Sequence, residues 1–296
     1  MSQTELRRLR GVYSTPSPLV HYLVLSVHHL LQRKLGFSAG LADPAVRLLD
    51  PAAGAMNFIR MACRPALGSA GLLSRFLGIE LLPDAHARGL ATMHRFLKAA
   101  GCAARPESLP VVLADALAPP PELLERSFNV VIGNPPWRGC SSNRGEWITD
   151  LLREYFQVDG DSLGERNPKW LQDDYVKFLR LAQWLVERNG EGIVAFVLNH
   201  NFLDAPTFRG LRRSLLRTFE EIYVLDLHGN ARKRETGNVF TGVAQGAAAV
   251  FLVKKAGLER RVWRADLQGS RGEKLGILSR TYAGTTPWTG IERSGP

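Results

Sequence analysis

Cysteine is scarce: Cys63, Cys102 and Cys140 are the only three in 296 residues. So few and so scattered, they make neither a disulfide framework nor a zinc site, and no metal site is expected. That usage is expected of a reducing compartment, the cytoplasm. No apolar run approaches the roughly 20 residues a membrane helix needs. Met1–Arg10 carries three arginines with no apolar stretch behind them, so no secretory signal is expected. Internal repeats and low-complexity segments are missing as well. What is present is ordinary for a globular chain, 45% hydrophobic and 22% charged, enough for one large core or one core with an appendage. Acidic side chains are outnumbered: 28 Asp and Glu face 38 Lys and Arg, a net charge of +10 that favours a polyanionic partner.

The most informative stretch is Phe128-Asn129-Val130-Val131-Ile132-Gly133-Asn134-Pro135-Pro136-Trp137. Its apolar, mostly β-branched residues predict a buried central strand. Two prolines then stiffen the turn at the strand's carboxyl end, where open α/β sheets place ligands. Asn134 and the Pro135 carbonyl can accept two amine hydrogens, and Trp137 can stack on a ring. Those groups suit a planar heterocycle with an exocyclic amine.

Other strands end in acids. Val46–Asp50 leads into Pro51-Ala52-Ala53-Gly54-Ala55-Met56-Asn57-Phe58, a small-residue loop that lets backbone approach a ligand before a helix starts near Asn57. Phe76–Glu80 ends in an acid able to bind both hydroxyls of a ribose. Pro110–Ala116 contains Asp115, with Ala116 beside it. Asp50, Glu80, Asp115 and Asn134 thus form one series along a sheet edge. Further strands are expected at 193–198, 221–227 and 247–253, the last reversed after a hairpin-like return. The polar stretch around Arg138, Arg144, Trp147 and Arg153 is too long for an idle connection and reads as an insertion or lid over 138–170. Arg209, Arg212, Arg213 and Arg217 give one helix a basic face, either solvated or directed at phosphates. Arg232-Lys233-Arg234 lies in a polar loop better placed for a phosphate contact.

The N-P-P-W turn resembles the catalytic motif of S-adenosylmethionine-dependent amino methyltransferases, above all the DNA adenine-N6 enzymes. Gly11-Val12-Tyr13-Ser14-Thr15-Pro16 is similar to the leader of their γ-ordered class, and the loop after Asp50 resembles their cofactor loop. The later segments Asn143–Trp147, Gly164–Trp170 and Asp226–Asn230 look like the methylase part of large single-chain (type ISP or type IIG-like) restriction-modification and phage-defence enzymes. The resemblance implies an α/β, Rossmann-like methyltransferase fold: a seven-stranded mixed sheet, its last strand antiparallel, with helices on both faces. It implies a methyltransferase domain over 1–255, and an extension over 256–296 leading towards an absent target-recognition domain. The Met1 start is expected to leave no room for a nuclease ahead of it.

For the site, the resemblance implies S-adenosylmethionine held by Tyr13, Thr15, Pro16, Asp50, Ala52, Gly54, Phe58, Glu80, Asp115, Ala116 and Asn134. Asp50 would take the methionine ammonium, Glu80 the ribose and Asp115 the adenine amine. Asn134, Pro135, Pro136 and Trp137 would be catalytic, with Trp137 and Phe240 on either side of a flipped adenine. Arg138, Arg144, Arg213, Arg232, Lys233 and Arg234 are the DNA-backbone candidates, double-stranded DNA being the expected partner beside a specificity domain or subunit. Met56 stands where the family usually has a second glycine, so a wider or differently turned loop is expected. Methylation of a protein glutamine or an RNA guanine, or a non-catalytic DNA-binding subunit with a degenerate cofactor loop, are the alternatives.

Overall fold

The computed structural model describes residues 13–69, 71–102, 109–120, 124–137, 143–165, 168–235 and 237–291. A helix opens them. Pro16 and Pro18 bracket its start, and Leu19, Val20, Leu23, Val27 and Leu30 bury one stripe of α1 (Ser17–Leu30). β1 (Leu48–Asp50) leads through the small-residue loop to α2 (Asn57–Cys63). The short α3 (Leu72–Arg75) precedes β2 (Phe76–Glu80), and α4 (Pro83–Ala99) connects to β3 (Val111–Leu113). β4 (Val130–Gly133) carries the N-P-P-W turn. The insertion follows with α5 (Glu146–Leu152) and a small hairpin of β5 (Gln157–Val158) and β6 (Asp161–Ser162).

The second half supplies α6 (Asp174–Asn189), β7 (Gly192–Asn199), α7 (Arg209–Thr218), β8 (Glu221–His228) and β9 (Ala247–Lys254). It closes with β10 (Arg261–Asp266), α8 (Arg271–Leu278) and β11 (Thr289–Ile291). One sheet has the order β11-β10-β8-β9-β7-β4-β1-β2-β3. β9 and β11 run antiparallel to their neighbours, and every other pairing is parallel. β7 is buried along its whole length and packs on both α1 and α6. Those helices belong to separate layers, α1 with α2 and α8, α6 with α5 and α7.

The sheet has nine strands rather than the expected seven. The two additional ones lie in 256–296, which its charged composition presents as an extension. Most of its charges stay on the outside, as where Arg261 pairs with Glu259, but Lys274 is buried and donates to the Leu227 carbonyl at 2.8 Å, and Trp263 stacks on Tyr223 with centroids 6.3 Å apart. Two bonds tie the end of this segment to α1, from Tyr22 Oη to Thr286 Oγ1 at 2.8 Å and from the Ala283 amide to Ser26 Oγ at 2.8 Å. No described helix is long and apolar enough to cross a membrane.

The basic face of α7 has an internal use. Arg209 pairs with Glu165 at 3.1 Å, Arg213 with Asp159 at 2.7 Å, and Arg217 with Glu154. All three acids come from the insertion, so the helix clamps it by a seam of ion pairs. Arg212 turns back to donate to the carbonyls of Phe202 and Ala205, each at 2.9 Å.

Candidate active site

The parallel register places the ends of β3, β2, β1 and β4 side by side, and Asp115, Glu80, Asp50 and Asn134 follow them in that spatial order. A cleft of about 740 Å³ runs along this edge, within the range of small-molecule sites. Tyr13, Thr15, Ala52, Gly54, Phe58, Glu80, Asp115, Ala116, Asn134 and Pro136 all line it. Of the residues expected to hold a cofactor, Asp50 and Pro16 do not line it. Pro16 instead accepts the first amides of α1.

The acids are fixed by backbone. Glu80 Oε2 accepts from the Gly54 amide at 2.9 Å and Oε1 from the Leu82 amide at 2.8 Å. Each oxygen keeps a further lone pair for a guest. Asp115 Oδ1 accepts from the Leu117 amide at 2.9 Å, and its Oδ2 from Asn143 Nδ2 at 2.8 Å. Lys177, buried in α6, donates to the Asn143 carbonyl, so the insertion is pinned against the far end of the cleft.

Asp50 lies beneath the floor, 1% exposed, its Oδ1 accepting from the Ala52 amide at 3.2 Å. Its Oδ2 has no hydrogen-bond partner among the described residues. Burial pushes the carboxyl up to about 8, with the Ala52 amide opposing and the charge of Glu80 adding to the rise. Gly133 is required beside it, since a Cβ there would come within 2.8 Å of Asp50 Oδ1.

Met56 corrects the expected loop. It adopts the left-handed conformation itself, φ 63° and ψ 28°, the turn a glycine would make. Its side chain is fully buried and points away from the cleft, into space left by two other glycines. A Cβ on Gly78 would meet Met56 Sδ at 2.6 Å, and one on Gly89 would meet its Cγ at 3.1 Å. The loop is therefore not degenerate: the cleft above it stays open.

Asn134 is held from the leader. Its Nδ2 donates to Thr15 Oγ1 at 3.1 Å and to the Tyr13 carbonyl at 3.5 Å. Its Oδ1 is buried and has no partner among the described residues. Pro135 is buried, while Pro136 is half-buried on the cleft wall.

Trp137 and Phe240 do meet, although not as parallel walls. Their rings cross at 81° with centroids 5.4 Å apart. A base sandwiched between two rings needs them parallel and about 7 Å apart, twice a carbon–carbon contact. Here they form a corner, and Tyr13 completes it at 6.3 Å from Trp137 and 6.5 Å from Phe240. Tyr13 thus lies on both the cleft and the aromatic corner, a second role that the sequence leaves unmarked.

Arg144 and Arg232, Lys233 and Arg234 are exposed, Lys233 with a long ion pair to Asp204 at 3.8 Å, whereas Arg213 is engaged by Asp159 at 2.7 Å. Arg138 lies outside the described residues. Phe178 and Asp174 of α6 and Arg88 of α4 also line the cleft. Helical periodicity alone marks Phe178 as core, and nothing in the sequence signals its place at the site.

A parallel sheet with a reversed strand beside β7, and a cleft across the strand ends, is the class I methyltransferase fold. The type I restriction enzyme EcoKI M protein shares the fold, with a TM-score of 0.59 at 18% identity over 94% of this chain and 56% of that one. The chain belongs to the Eco57I restriction-modification methylase family, whose model matches residues 77–232. It is similar to DrdV, solved by cryo-electron microscopy as a complex with DNA, at 28% identity and a TM-score of 0.82, over 97% of this chain and 31% of that one. A nuclease-deletion mutant of the type ISP restriction-modification enzyme LlaGI, in complex with a DNA substrate mimic, matches at 22% identity and a TM-score of 0.82, over 95% and 26%. The ATP-dependent type ISP enzyme LlaBIII bound to DNA matches at 21% and 0.80, over 95% and 22%. The chain thus spans less than a third of each of these proteins. No curated protein matches it by sequence.

Proposed function

We propose that this chain transfers a methyl group from S-adenosylmethionine to the N6 amine of an adenine flipped out of DNA, as the methylase part of a restriction-modification system. The observation that carries this is the Asn134 carbonyl oxygen, buried, without a partner among the described residues and fixed in direction at the end of a cleft lined by Glu80 and Asp115. A buried acceptor without a partner is costly to keep, and an incoming amine hydrogen would satisfy it.

The cleft fits the cofactor. Glu80 presents two anchored oxygens for ribose hydroxyls, Asp115 an acceptor for an adenine amine, and Phe58 an apolar surface. When bound, S-adenosylmethionine supplies an activated methyl and a neutral thioether leaving group. The protein's work is then positioning. Asn134 Oδ1 and the Pro135 carbonyl accept the two amine hydrogens and draw the nitrogen lone pair out of conjugation with the ring. The turn holds the Pro135 carbonyl rigid, and the leader holds the Asn134 amide. Trp137, Phe240 and Tyr13 offer the aromatic corner on which a flipped base packs. Exposed Arg144, Arg232, Lys233 and Arg234 would meet phosphates, and recognition of sequence would fall to a further domain or subunit. The non-catalytic reading rested on Met56, and the burial of that side chain away from the cleft removes its support.

The test is transfer of labelled methyl to DNA, with the product base identified by mass spectrometry. Asn134→Ala should lower the rate about 10²-fold or more, as removal of one preorganised polar group does. Cofactor affinity by calorimetry should hardly change. Wild-type turnover in the variant, or a product other than N6-methyladenine, would overturn the reading.

A further inference from the structure

The chemistry proposed above uses only one end of the Asn134 amide. Its oxygen can accept from an amine, whereas its nitrogen can only donate. A half-turn about the Cβ–Cγ bond exchanges the two, and the turn's prolines do nothing to prevent it. What opposes it comes from about 120 residues earlier in the chain. Thr15 Oγ1, in a residue 9% exposed, accepts from Nδ2 at 3.1 Å, and the Tyr13 carbonyl does so at 3.5 Å. The two partners act differently. A backbone carbonyl only accepts, so it repels an oxygen turned towards it and selects the nitrogen. The threonine hydroxyl supplies the closer bond and holds the amide against it.

We infer that Thr15 is a positioning residue for methyl transfer: with the Tyr13 carbonyl it fixes the direction of the Asn134 amide, so that Oδ1 faces the target amine. This rests on the methyltransferase reading and adds to it a role for the leader at the target end of the cleft. The resemblance gives Thr15 to the cofactor, and it does line the cleft. The two roles predict different losses.

Thr15→Val keeps the shape and removes the hydroxyl; Thr15→Ser keeps the hydroxyl. The full chain is assayed by single-turnover transfer from saturating labelled S-adenosylmethionine to duplex DNA, with cofactor affinity measured by calorimetry. The expected result is a loss of about tenfold in rate for Thr15→Val, the factor of one neutral hydrogen bond. Thr15→Ser should recover the rate, and cofactor affinity should stay as in wild type. An unchanged rate in Thr15→Val overturns the inference. So does a loss confined to cofactor affinity, which would make Thr15 a cofactor contact. If wild type transfers no methyl, the functional reading fails and a second measurement decides the inference. The Asn134 side-chain amide protons, assigned by nuclear magnetic resonance against Asn134→Asp, should exchange with solvent about tenfold faster in Thr15→Val and as in wild type in Thr15→Ser. Equal exchange in all three forms overturns it.

Discussion

Replacing Asp50 with asparagine isolates the most perturbed carboxyl beside the cleft. The side chain is 1% exposed, its Oδ2 lacks a partner among the described residues, and burial pushes its titration from 3.8 to about 8. The folded protein therefore binds this proton more tightly than the unfolded chain does. Stability from this group is fully present below 3.8, declines as pH rises, and is gone above about 8. Each tenfold change in proton concentration inside that window corresponds to roughly 1.4 kcal/mol. From about pH 5 to about pH 7, wild type should lose on the order of 2–3 kcal/mol relative to Asp50→Asn. Asparagine has nearly the same shape and can keep the Ala52 bond. Its buried amide nitrogen costs about 1–3 kcal/mol, but that cost is independent of pH and drops out of the slope. Denaturant titrations of both proteins at several pH values give the slopes directly. Parallel stability curves for the two proteins across this window would refute the burial argument.

Two further perturbations test the loop and the surface. Gly78→Ala should destabilise by about 1–3 kcal/mol through overpacking against Met56. Met56→Gly leaves a cavity of its own, but the loss in the double variant should fall short of the sum of the two, with a coupling above ~1 kcal/mol in a double-mutant cycle by denaturation; additive effects would show that the contact is not the cause. Arg232→Ala, Lys233→Ala and Arg234→Ala should each weaken DNA binding about equally across sequences and reduce the salt dependence of log affinity by about one. Arg213→Ala should leave that slope unchanged, since Arg213 is held by Asp159, and fluorescence anisotropy over a salt series would expose an equal reduction.

The main-sheet strands up to Lys254 were legible because each is a short apolar run ending in a turn or an acid, and the line of Asp115, Glu80, Asp50 and Asn134 followed from that; the small hairpin of β5 and β6 was not foreseen. β10 was not legible: half of Arg261-Val262-Trp263-Arg264-Ala265-Asp266 is charged, and its place comes from pairing with β8 and from Trp263 on Tyr223. The destination of the α7 arginines was hidden for another reason. Their partners Glu154, Asp159 and Glu165 lie more than 40 residues earlier, and helical spacing reports only a charged face. Direction was also hidden at the site itself. Nothing in the order of residues says that Asn134 turns its nitrogen to Thr15, that Asp50 sinks below the floor, or that Trp137 and Phe240 cross rather than lie parallel.

The arrangement around Met56 bears on how this loop can change over time. A methionine at φ 63° is tolerated because the room that its side chain needs is supplied by Gly78 on β2 and Gly89 on α4. Even with glycine at position 56, alanine at position 78 would meet Ala53 Cβ at 2.8 Å and alanine at position 89 the Gly54 carbonyl oxygen at 3.1 Å, so the two glycines make room for the loop itself as well as for the methionine. Once methionine has entered, both are committed to glycine, and reversing any one step alone leaves a void or a clash. The three positions are entrenched together. Relatives carrying a large residue at the counterpart of position 56 should therefore keep glycine at the counterparts of Gly78 and Gly89.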